Sequence, residues 1–136
     1  MTPPSQVELI RTEKLTDQAP YAYAAVAHDV SRLVFAAGAC PLDEDGRTVA
    51  PGDIVRQAEQ VMANLVTALR AAGAELTDVV KTTVYVATNR QEDLVAAWNV
   101  VSAAFGAHDV PSTLLGVAVL GYTDQLVEVE AIAALR

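Results

Sequence analysis

The residue types that build disulfides, metal centres and phosphate-binding loops are scarce in this chain of 136 residues. Its one cysteine, Cys40, excludes an intrachain disulfide. Its two histidines, His28 and His108, have no companions at the spacing of a metal-binding motif. The stretch PLDEDGR at 41–47 is typical of a turn rather than of a glycine-rich phosphate loop. We therefore expect no metal and no cofactor.

Clustered positive charge is missing as well. The nine Lys and Arg residues are scattered among 17 Asp and Glu residues, which leaves a net charge of −8 and an isoelectric point near 4.5. Proteins that bind nucleic acids present clustered basic side chains that displace counterions from the phosphates. The sequence therefore predicts no nucleic-acid partner.

No apolar stretch is long enough for a membrane helix, because charged or polar residues interrupt every run. Residues 1–14 have neither the basic start nor the apolar centre of a secretory signal. These features favour a cytoplasmic protein without a membrane partner. Yet 52% of the residues are hydrophobic, only 19% are charged, and the mean hydropathy is +0.28. This composition predicts that other subunits cover part of the surface.

What is present indicates one α+β domain over residues 1–136. Three short strand-like runs come first: Val7–Ile10, Tyr21–Ala27 and Leu33–Ala39. A loop rich in Pro, Gly and Asp follows at 41–53. A helix is predicted between the N-cap residue Asp53 and the stop at Gly73. Apolar residues recur at helical spacing between them: Ile54, Val55, Ala58, Val61, Met62, Leu65, Val66 and Leu69.

A strand, a second helix and two further strands are predicted after Gly73. The run Val79–Thr88 is rich in β-branched residues. Asn89 followed by Glu92 is typical of a helix cap, and an apolar stripe continues to Phe105. Residues 111–131 have the pattern of two strands joined by a turn at 121–124. The order βββαβαββ provides two helices, which can cover one sheet face, so we expect oligomerisation to cover the other.

The last of these strands places two carboxylates on one face. Because side chains alternate along a strand, Glu128 and Glu130 point the same way as Leu126 and Ile132. Carboxylates beside Leu and Ile in so apolar a chain are not typical of plain solvated surface. The pattern indicates a ligand-facing carboxylate or a structural one, for which Lys81 is a candidate counter-charge.

Several short motifs together resemble the Rid family, which is also called YjgF or endoribonuclease L-PSP. They are Pro20-Tyr21, Ala37-Gly38 before Pro41, the alanine-rich helix after Asp53, the run KTTVYV at Lys81–Val86 and the run EVEA at Glu128–Ala131. Their order and spacing match the family from about Ala19 to Ala134.

The resemblance implies a chorismate-mutase-like fold, in which three chains close their sheets into a central barrel with the helices outside. A small ligand would bind at the subunit interface of this homotrimer. The best-known activity of the family is hydrolysis of reactive enamines and imines to 2-keto acids and ammonia. Glu128 matches the glutamate that orients the attacking water. The ligand-binding residues that the resemblance implies are Tyr21, Ser112, Thr113 and Leu115.

The chain departs from the family at the arginine that clamps the substrate carboxylate. Counting back from Glu128 without gaps puts that position at Thr113, whereas alignment on the following GVA segment puts it at Ser112. No arginine occurs between Arg90 and Arg136. A hydroxyl cannot replace the charged, planar guanidinium fork. We therefore expect weak activity on ordinary 2-imino acids.

Two functional classes stay open on the sequence alone. One is a Rid-like hydrolase or deaminase, and the other is a non-catalytic binding protein that uses the same cleft. The ribonuclease of the family name is disfavoured by the acidic charge. Cys40 is interpreted as a small interior thiol rather than a nucleophile. Ser112 and Thr113 are expected either to donate to a ligand or to satisfy backbone groups at a strand end.

Overall fold

The structure, a computed structural model, describes residues 6–136. Two α-helices are described, α1 (Ile54–Ala71) and α2 (Gln91–Phe105), with a short 3₁₀ turn at Leu76–Asp78. The strands are β1 (Val7–Ile10), β2 (Ala24–Ala27), β3 (Arg32–Phe35), β4 (Val79–Ala87), β5 (Ser112–Val117) and β6 (Val127–Leu135). The predicted order βββαβαββ is confirmed.

The C-terminal strand β6 lies inside a four-stranded sheet of order β3-β6-β4-β5. It is antiparallel to both of its neighbours, whereas β4 and β5 are parallel. The parallel pair is joined through α2, as expected for a strand–helix–strand unit. Strands β5 and β6 are successive in the chain but do not pair, because β4 lies between them. Strands β1 and β2 form a separate antiparallel pair.

Both helices pack against one face of the four-stranded sheet, and the hydrophobic core lies between them. The side chains of this core that are fully shielded from solvent are Ala58, Val61, Leu65, Leu69, Val79, Val84, Val86, Ala97, Val101, Val127, Val129 and Ala133. Burying one Val or Leu side chain contributes roughly 1.5–3 kcal/mol. The helix-covered face is therefore the main source of stability in the single chain.

The ends of α1 follow the sequence prediction. The Asp53 carboxylate accepts a hydrogen bond from the backbone N–H of Arg56 at 3.0 Å, which satisfies one of the free donors of the first turn. Gly73, with φ +85°, follows the C-terminal end of the helix.

The predicted cap of α2 was wrong. The helix begins at Gln91, and Arg90 rather than Asn89 occupies the N-cap position. The Thr88 hydroxyl accepts from the Arg90 N–H and donates to the Asp93 carboxylate at 2.6 Å. Threonine therefore orders the helix entry, and the Asn89 side chain is not needed. Gly106, with φ +62°, ends the helix as predicted.

Strand β4 contains a β-bulge that the sequence pattern did not reveal. Val79 pairs with Ala133 and Lys81 pairs with Ile132, so one strand has an extra residue. The bulge turns Val79 into the core, on the same face as Thr82 and Val84. Simple alternation along a strand would place Val79 on the face of Lys81.

The second face of the sheet is open in the single chain. Exposed apolar side chains lie on it, with 55% of Leu33, 70% of Phe35 and 43% of Leu115 accessible. Glu128 and Glu130 lie on the same face. No helix within residues 6–136 combines the length and the apolarity needed to cross a membrane.

The N-terminal strands position Tyr21. The Ala22 N–H donates to the Asp109 carbonyl at 2.7 Å, and the Arg11 guanidinium pairs with the Asp109 carboxylate at 3.0 Å. Ala22 is buried, which fixes its neighbour Tyr21 beside the start of β5. Strand β2 begins at Ala24, later than predicted, because the backbone before it turns toward Asp109.

Candidate functional site

Glu128 lies where the chain after β3 bulges away from β6. Phe35 pairs with Ile132, and Ala39 pairs with Val129. The first segment takes four residue steps between these pairs, whereas β6 takes three, so one residue is extra. Gly38 then lies directly against Glu128. A Cβ atom on Gly38 would lie 2.7 Å from Glu128 Cδ and closer still to Oε2, so the site requires glycine here.

The Glu128 carboxylate is held by two uncharged donors. Gln125 Nε2 donates to Glu128 Oε1 at 3.1 Å, and Cys40 Sγ lies 3.3 Å from the same oxygen. No cation pairs with Glu128 within residues 6–136. The charge of this carboxylate is therefore not neutralised by a lysine or arginine of the described chain.

Cys40 is a thiol rather than a thiolate at neutral pH. Partial burial and the adjacent Glu128 carboxylate raise the pKa of the Cys40 thiol to about 11. Thiolates are the nucleophilic form of cysteine, so a raised pKa makes Cys40 a weak nucleophile. The sequence interpretation of Cys40 as a non-nucleophilic thiol agrees with this environment, but its position next to Glu128 was not anticipated.

Helix α1 braces the segments on both sides of Glu128. Gln57 is fully buried, donates to the Asp124 carbonyl at 2.9 Å and accepts from the Leu126 N–H at 2.8 Å. Two helical turns further on, Asn64 donates to the Cys40 carbonyl at 2.8 Å and to the Leu42 carbonyl at 2.9 Å. We call Gly38, Cys40, Gln125 and Glu128 the Glu128 corner. Its backbone is fixed by polar side chains of α1.

Glu130 and Lys81 do not form the ion pair that the sequence suggested. The Tyr85 hydroxyl donates to Glu130 Oε1 at 2.7 Å, and this hydrogen bond raises the pKa of Tyr85. The Lys81 ammonium donates instead to Thr113 Oγ1 at 2.7 Å. A shallow depression of about 300 Å³ lies between Lys81, Glu130 and Phe35. Tyrosine therefore occupies the position next to Glu130 at which a counter-charge was expected.

Three of the four predicted ligand residues, Tyr21, Ser112 and Thr113, line one cavity, and Leu115 lies outside it. The cavity has a volume of about 450 Å³, and Pro20, Trp98 and Leu114 complete its wall. The Tyr21 and Trp98 rings meet edge to face, with centroids 6.3 Å apart. We call this cavity the Tyr21 pocket. Its size and its aromatic wall are suited to a small, largely apolar ligand.

Strand register distinguishes the two positions proposed for the missing arginine. Thr113 pairs with Thr83, which pairs with Glu130, so Thr113 lies on the open face with the two glutamates. The Ser112 hydroxyl instead donates to the Val110 carbonyl at 2.9 Å. Of the two, only Thr113 shares a sheet face with Glu128.

The Glu128 corner and the Tyr21 pocket are separate within one chain. Glu128 on β6 is two strands away from Thr113 and Leu115 on β5, which corresponds to roughly 10 Å across the sheet. Tyr85 lies between Glu128 and Leu115 in the same row. The structure thus unites Tyr21, Ser112 and Thr113, but it does not bring them to Glu128.

Comparisons with known proteins agree with this architecture. The family model described as endoribonuclease L-PSP matches residues 12–135. The chain belongs to this family, the Rid family. A RutC family protein of Pyrococcus abyssi is 36% identical over 127 residues, which cover 93% of this chain and 95% of that protein. A Rid protein of unknown function from Yersinia pestis has a TM-score of 0.88 at 30% identity, covering 96% and 99% of the two chains.

One group of Rid relatives has a named activity. The 2-iminobutanoate/2-iminopropanoate deaminase of Rattus norvegicus is 36% identical over 81 residues, which are 58% of this chain and 59% of that protein. Sequence reasoning identified Glu128 through its motif. It missed Gln125, which precedes the strand, and Cys40, which is 88 residues away from Glu128 in the chain. Neither residue has a periodic pattern that would indicate its proximity to Glu128.

Proposed function

We propose that this Rid protein hydrolyses a small imine or enamine and that Glu128 handles the proton of the attacking water. The observation that carries the proposal is the fixed but unpaired Glu128 carboxylate. Two neutral donors orient it, and no cation of the described chain competes for its charge. A carboxylate kept in this state is suited to general base catalysis.

The reaction balances with water as the only co-substrate. Water attacks the imine carbon while Glu128 accepts one of its protons, and Glu128 passes that proton to the imine nitrogen, which gives a tetrahedral carbinolamine. Glu128 then takes the hydroxyl proton of the carbinolamine and delivers it to nitrogen as the C–N bond breaks, and the products are a carbonyl compound and ammonia. An enamine enters the same sequence after tautomerising to the imine.

The substrate class is inferred from the side chains that would face the ligand: Thr113 in place of an arginine, and the aromatic wall of the Tyr21 pocket. Without a guanidinium fork, the site lacks the bidentate partner that a free 2-imino carboxylate prefers. The aromatic wall of the Tyr21 pocket favours a substrate with an apolar body and no strict need for a carboxylate clamp. We propose an imine or enamine of this kind rather than 2-iminobutanoate.

We also propose that the site is completed in a homotrimer. The open sheet face exposes Leu33, Phe35 and Leu115, a pattern that subunit contact normally covers. A neighbouring chain would bring its own Tyr21 pocket or β5 toward the Glu128 corner. The ligand would then bind at the subunit interface, in contact with Tyr21, Ser112, Thr113 and Leu115.

The alternative is a non-catalytic ligand-binding protein. The replacement of the arginine by Thr113 favours it, because the pocket has lost a group expected in the reactive family members. Binding would then use the Tyr21 pocket, and Glu128 would support its wall without taking part in proton transfer.

A coupled assay of carbonyl or ammonia release from a panel of imines tests the proposal. The panel pairs each 2-imino acid with a matched imine that lacks the carboxylate. We expect turnover of the uncharged members and its loss in Glu128→Gln, with an unchanged melting temperature and an unchanged mass by light scattering. Wild-type activity in Glu128→Gln contradicts the catalytic role, and ligand binding without turnover of any member supports the alternative.

A further inference from the structure

We propose that Gln125 and Cys40 are positioning residues that occupy Glu128 Oε1 and so leave Oε2 as the oxygen that accepts the proton. This inference rests on the proposed function of Glu128. It concerns two residues that the sequence resemblance did not assign to the site.

The orientation of the Gln125 amide is fixed by its surroundings. Its Oε1 accepts from the Tyr122 backbone N–H at 3.0 Å, so the amide nitrogen must point the other way. Nε2 therefore donates both of its hydrogens, one to the Val127 carbonyl and one to Glu128 Oε1, each at 3.1 Å. Gln125 is only 4% exposed, so water does not compete strongly for these bonds.

Cys40 approaches the same carboxylate oxygen from the other side. The Ala39–Val129 bridge and the Asn64 amide hold its backbone, and Sγ lies 3.3 Å from Glu128 Oε1. The raised pKa of Cys40 keeps the proton on sulfur. This one hydrogen has two acceptors within reach, the Gly38 carbonyl at 3.4 Å and Glu128 Oε1 at 3.3 Å, and the charged carboxylate is the stronger acceptor. A thiolate at this position would repel Glu128.

The second carboxylate oxygen of Glu128, Oε2, is not contacted by these two donors. Within residues 6–136 both side-chain donors to Glu128 contact Oε1 and none contacts Oε2. Gly38 provides the space that Oε2 occupies. A carboxylate whose Oε1 accepts two hydrogen bonds and whose Oε2 accepts none is held in one rotamer. Its Oε2 is then the oxygen left to accept a proton. Such fixed geometry contributes to rate more than to ground-state binding.

The experiment separates positioning from general support of the fold. Gln125→Met and Cys40→Ala each remove one donor, while Cys40→Ser restores an O–H donor. Gln6→Met is the matched control, because it removes a buried glutamine that donates to the Ala134 carbonyl at the far end of β6, away from the Glu128 corner. Each variant is assayed on the best imine of the panel for kcat, KM, pH profile and melting temperature.

We expect Gln125→Met and Cys40→Ala each to lower kcat about fivefold to tenfold, with little change in KM, because one hydrogen bond to a charged group is lost. Cys40→Ser should recover most of the loss. Gln6→Met should lower the melting temperature while kcat and the pH profile stay near wild type. Equal kcat losses in Gln6→Met and Gln125→Met, or a Cys40→Ser variant as slow as Cys40→Ala, would overturn the positioning role.

A second measurement does not depend on activity. Because Cys40 is the only cysteine, protein labelled with ¹³Cβ-cysteine gives one Cβ resonance that reports its protonation. The titration midpoint should fall in Glu128→Gln if thiol and carboxylate are in contact, and an unchanged midpoint contradicts the contact. Activity that survives Glu128→Gln refutes the proposed function and this inference together. Loss in Glu128→Gln alone, with active Gln125 and Cys40 variants, refutes only this inference.

Discussion

The Glu128 corner and the Tyr21 pocket differ in how firmly the fold holds them. The corner is fixed by a β-bulge, by two polar residues of α1 and by two donors on the carboxylate itself. The Tyr21 pocket is built from aromatic edges, from the hydrogen bond of Ser112 to the Val110 carbonyl and from the contact between Lys81 and Thr113 on its rim. Groups that handle protons need fixed geometry, whereas recognition surfaces tolerate exchange of side chains.

The comparison bears on a chain that has the motif glutamate but no arginine between Arg90 and Arg136. Replacing Gly38 would displace the Glu128 carboxylate, and replacing Gln57 or Asn64 would remove hydrogen bonds that hold the backbone of the corner. Thr113 lies on a half-exposed strand, so a substitution there changes the open face and not the core. The Tyr21 pocket therefore tolerates side-chain exchange better than the Glu128 corner does.

The largest effect is expected from a substitution that displaces the carboxylate in the Glu128 corner. Gly38→Ala should lower kcat at least about 100-fold, because the new Cβ occupies the space of Glu128 Oε2 and displaces a general base worth about that much. Gly121→Ala is the control, since nothing lies within 4 Å of a Cβ placed there. Steady-state kinetics on both variants measure the effect, and full activity in Gly38→Ala would show that the carboxylate position is not critical.

The next prediction tests ligand recognition at the Tyr21 pocket. Hydrolysis of 2-iminobutanoate should be about 100-fold slower than in an arginine-bearing relative, the cost of a lost charge-assisted clamp. Thr113→Arg combined with Lys81→Met should recover part of this rate, because the Lys81 ammonium otherwise lies where the guanidinium would enter.

Ser112→Arg serves as the comparison for Thr113→Arg, since the Ser112 hydroxyl bonds to Val110 and does not face the two glutamates. A coupled keto-acid assay measures the rates. If wild type already matches the arginine-bearing relative, the clamp argument is wrong. If no arginine variant gains activity, the pocket differs in shape as well as in charge.

A smaller effect is expected on self-association, which in the proposed trimer brings the Tyr21 pocket of one chain to the Glu128 corner of another. Phe35→Asp places a charge on the open sheet face and should weaken self-association at least about tenfold, because a buried Phe contributes roughly 1.5–3 kcal/mol to a contact. Val95→Asp is the control, because Val95 is 54% exposed on α2, away from that face. Light scattering across a dilution series reports the mass. A wild type that stays monomeric at micromolar concentration would refute the trimer.

The smallest effect concerns Cys40 and alkaline stability. Its folded pKa of about 11 exceeds the ordinary value of 9.0, so the folded state retains the proton longer than the unfolded state does. The resulting stabilisation is complete below pH 9 and is lost as the pH rises through 11. Denaturant unfolding should show a steeper decline over this window for wild type than for Cys40→Ser. Tyr85, whose pKa Glu130 raises, acts in both proteins, so only the difference reports Cys40.

The two regions also differ in how far the sequence predicted them. Helical spacing after Asp53, the β-branched run at Val79 and the alternation around Glu128 predicted the elements and their order, because these periods reflect local backbone geometry. The ligand set of Tyr21, Ser112, Thr113 and Leu115 came from motif resemblance. The structure groups the first three in one cavity, whereas Leu115 lies outside its lining. Whether they bind a ligand stays a prediction.

By itself, the sequence determined the element order, the helix-covered core and the carboxylate face of the last strand. Only the tertiary structure decided which residues meet that face. Gln125 and Cys40 reach Glu128 because a bulge at Gly38 and two polar side chains of α1 bring distant segments together. Lys81 bonds to Thr113 rather than to a glutamate because strand register, which depends on all three strands at once, sets its neighbours. Local patterns specify period and polarity, whereas contacts between segments far apart in the chain depend on packing.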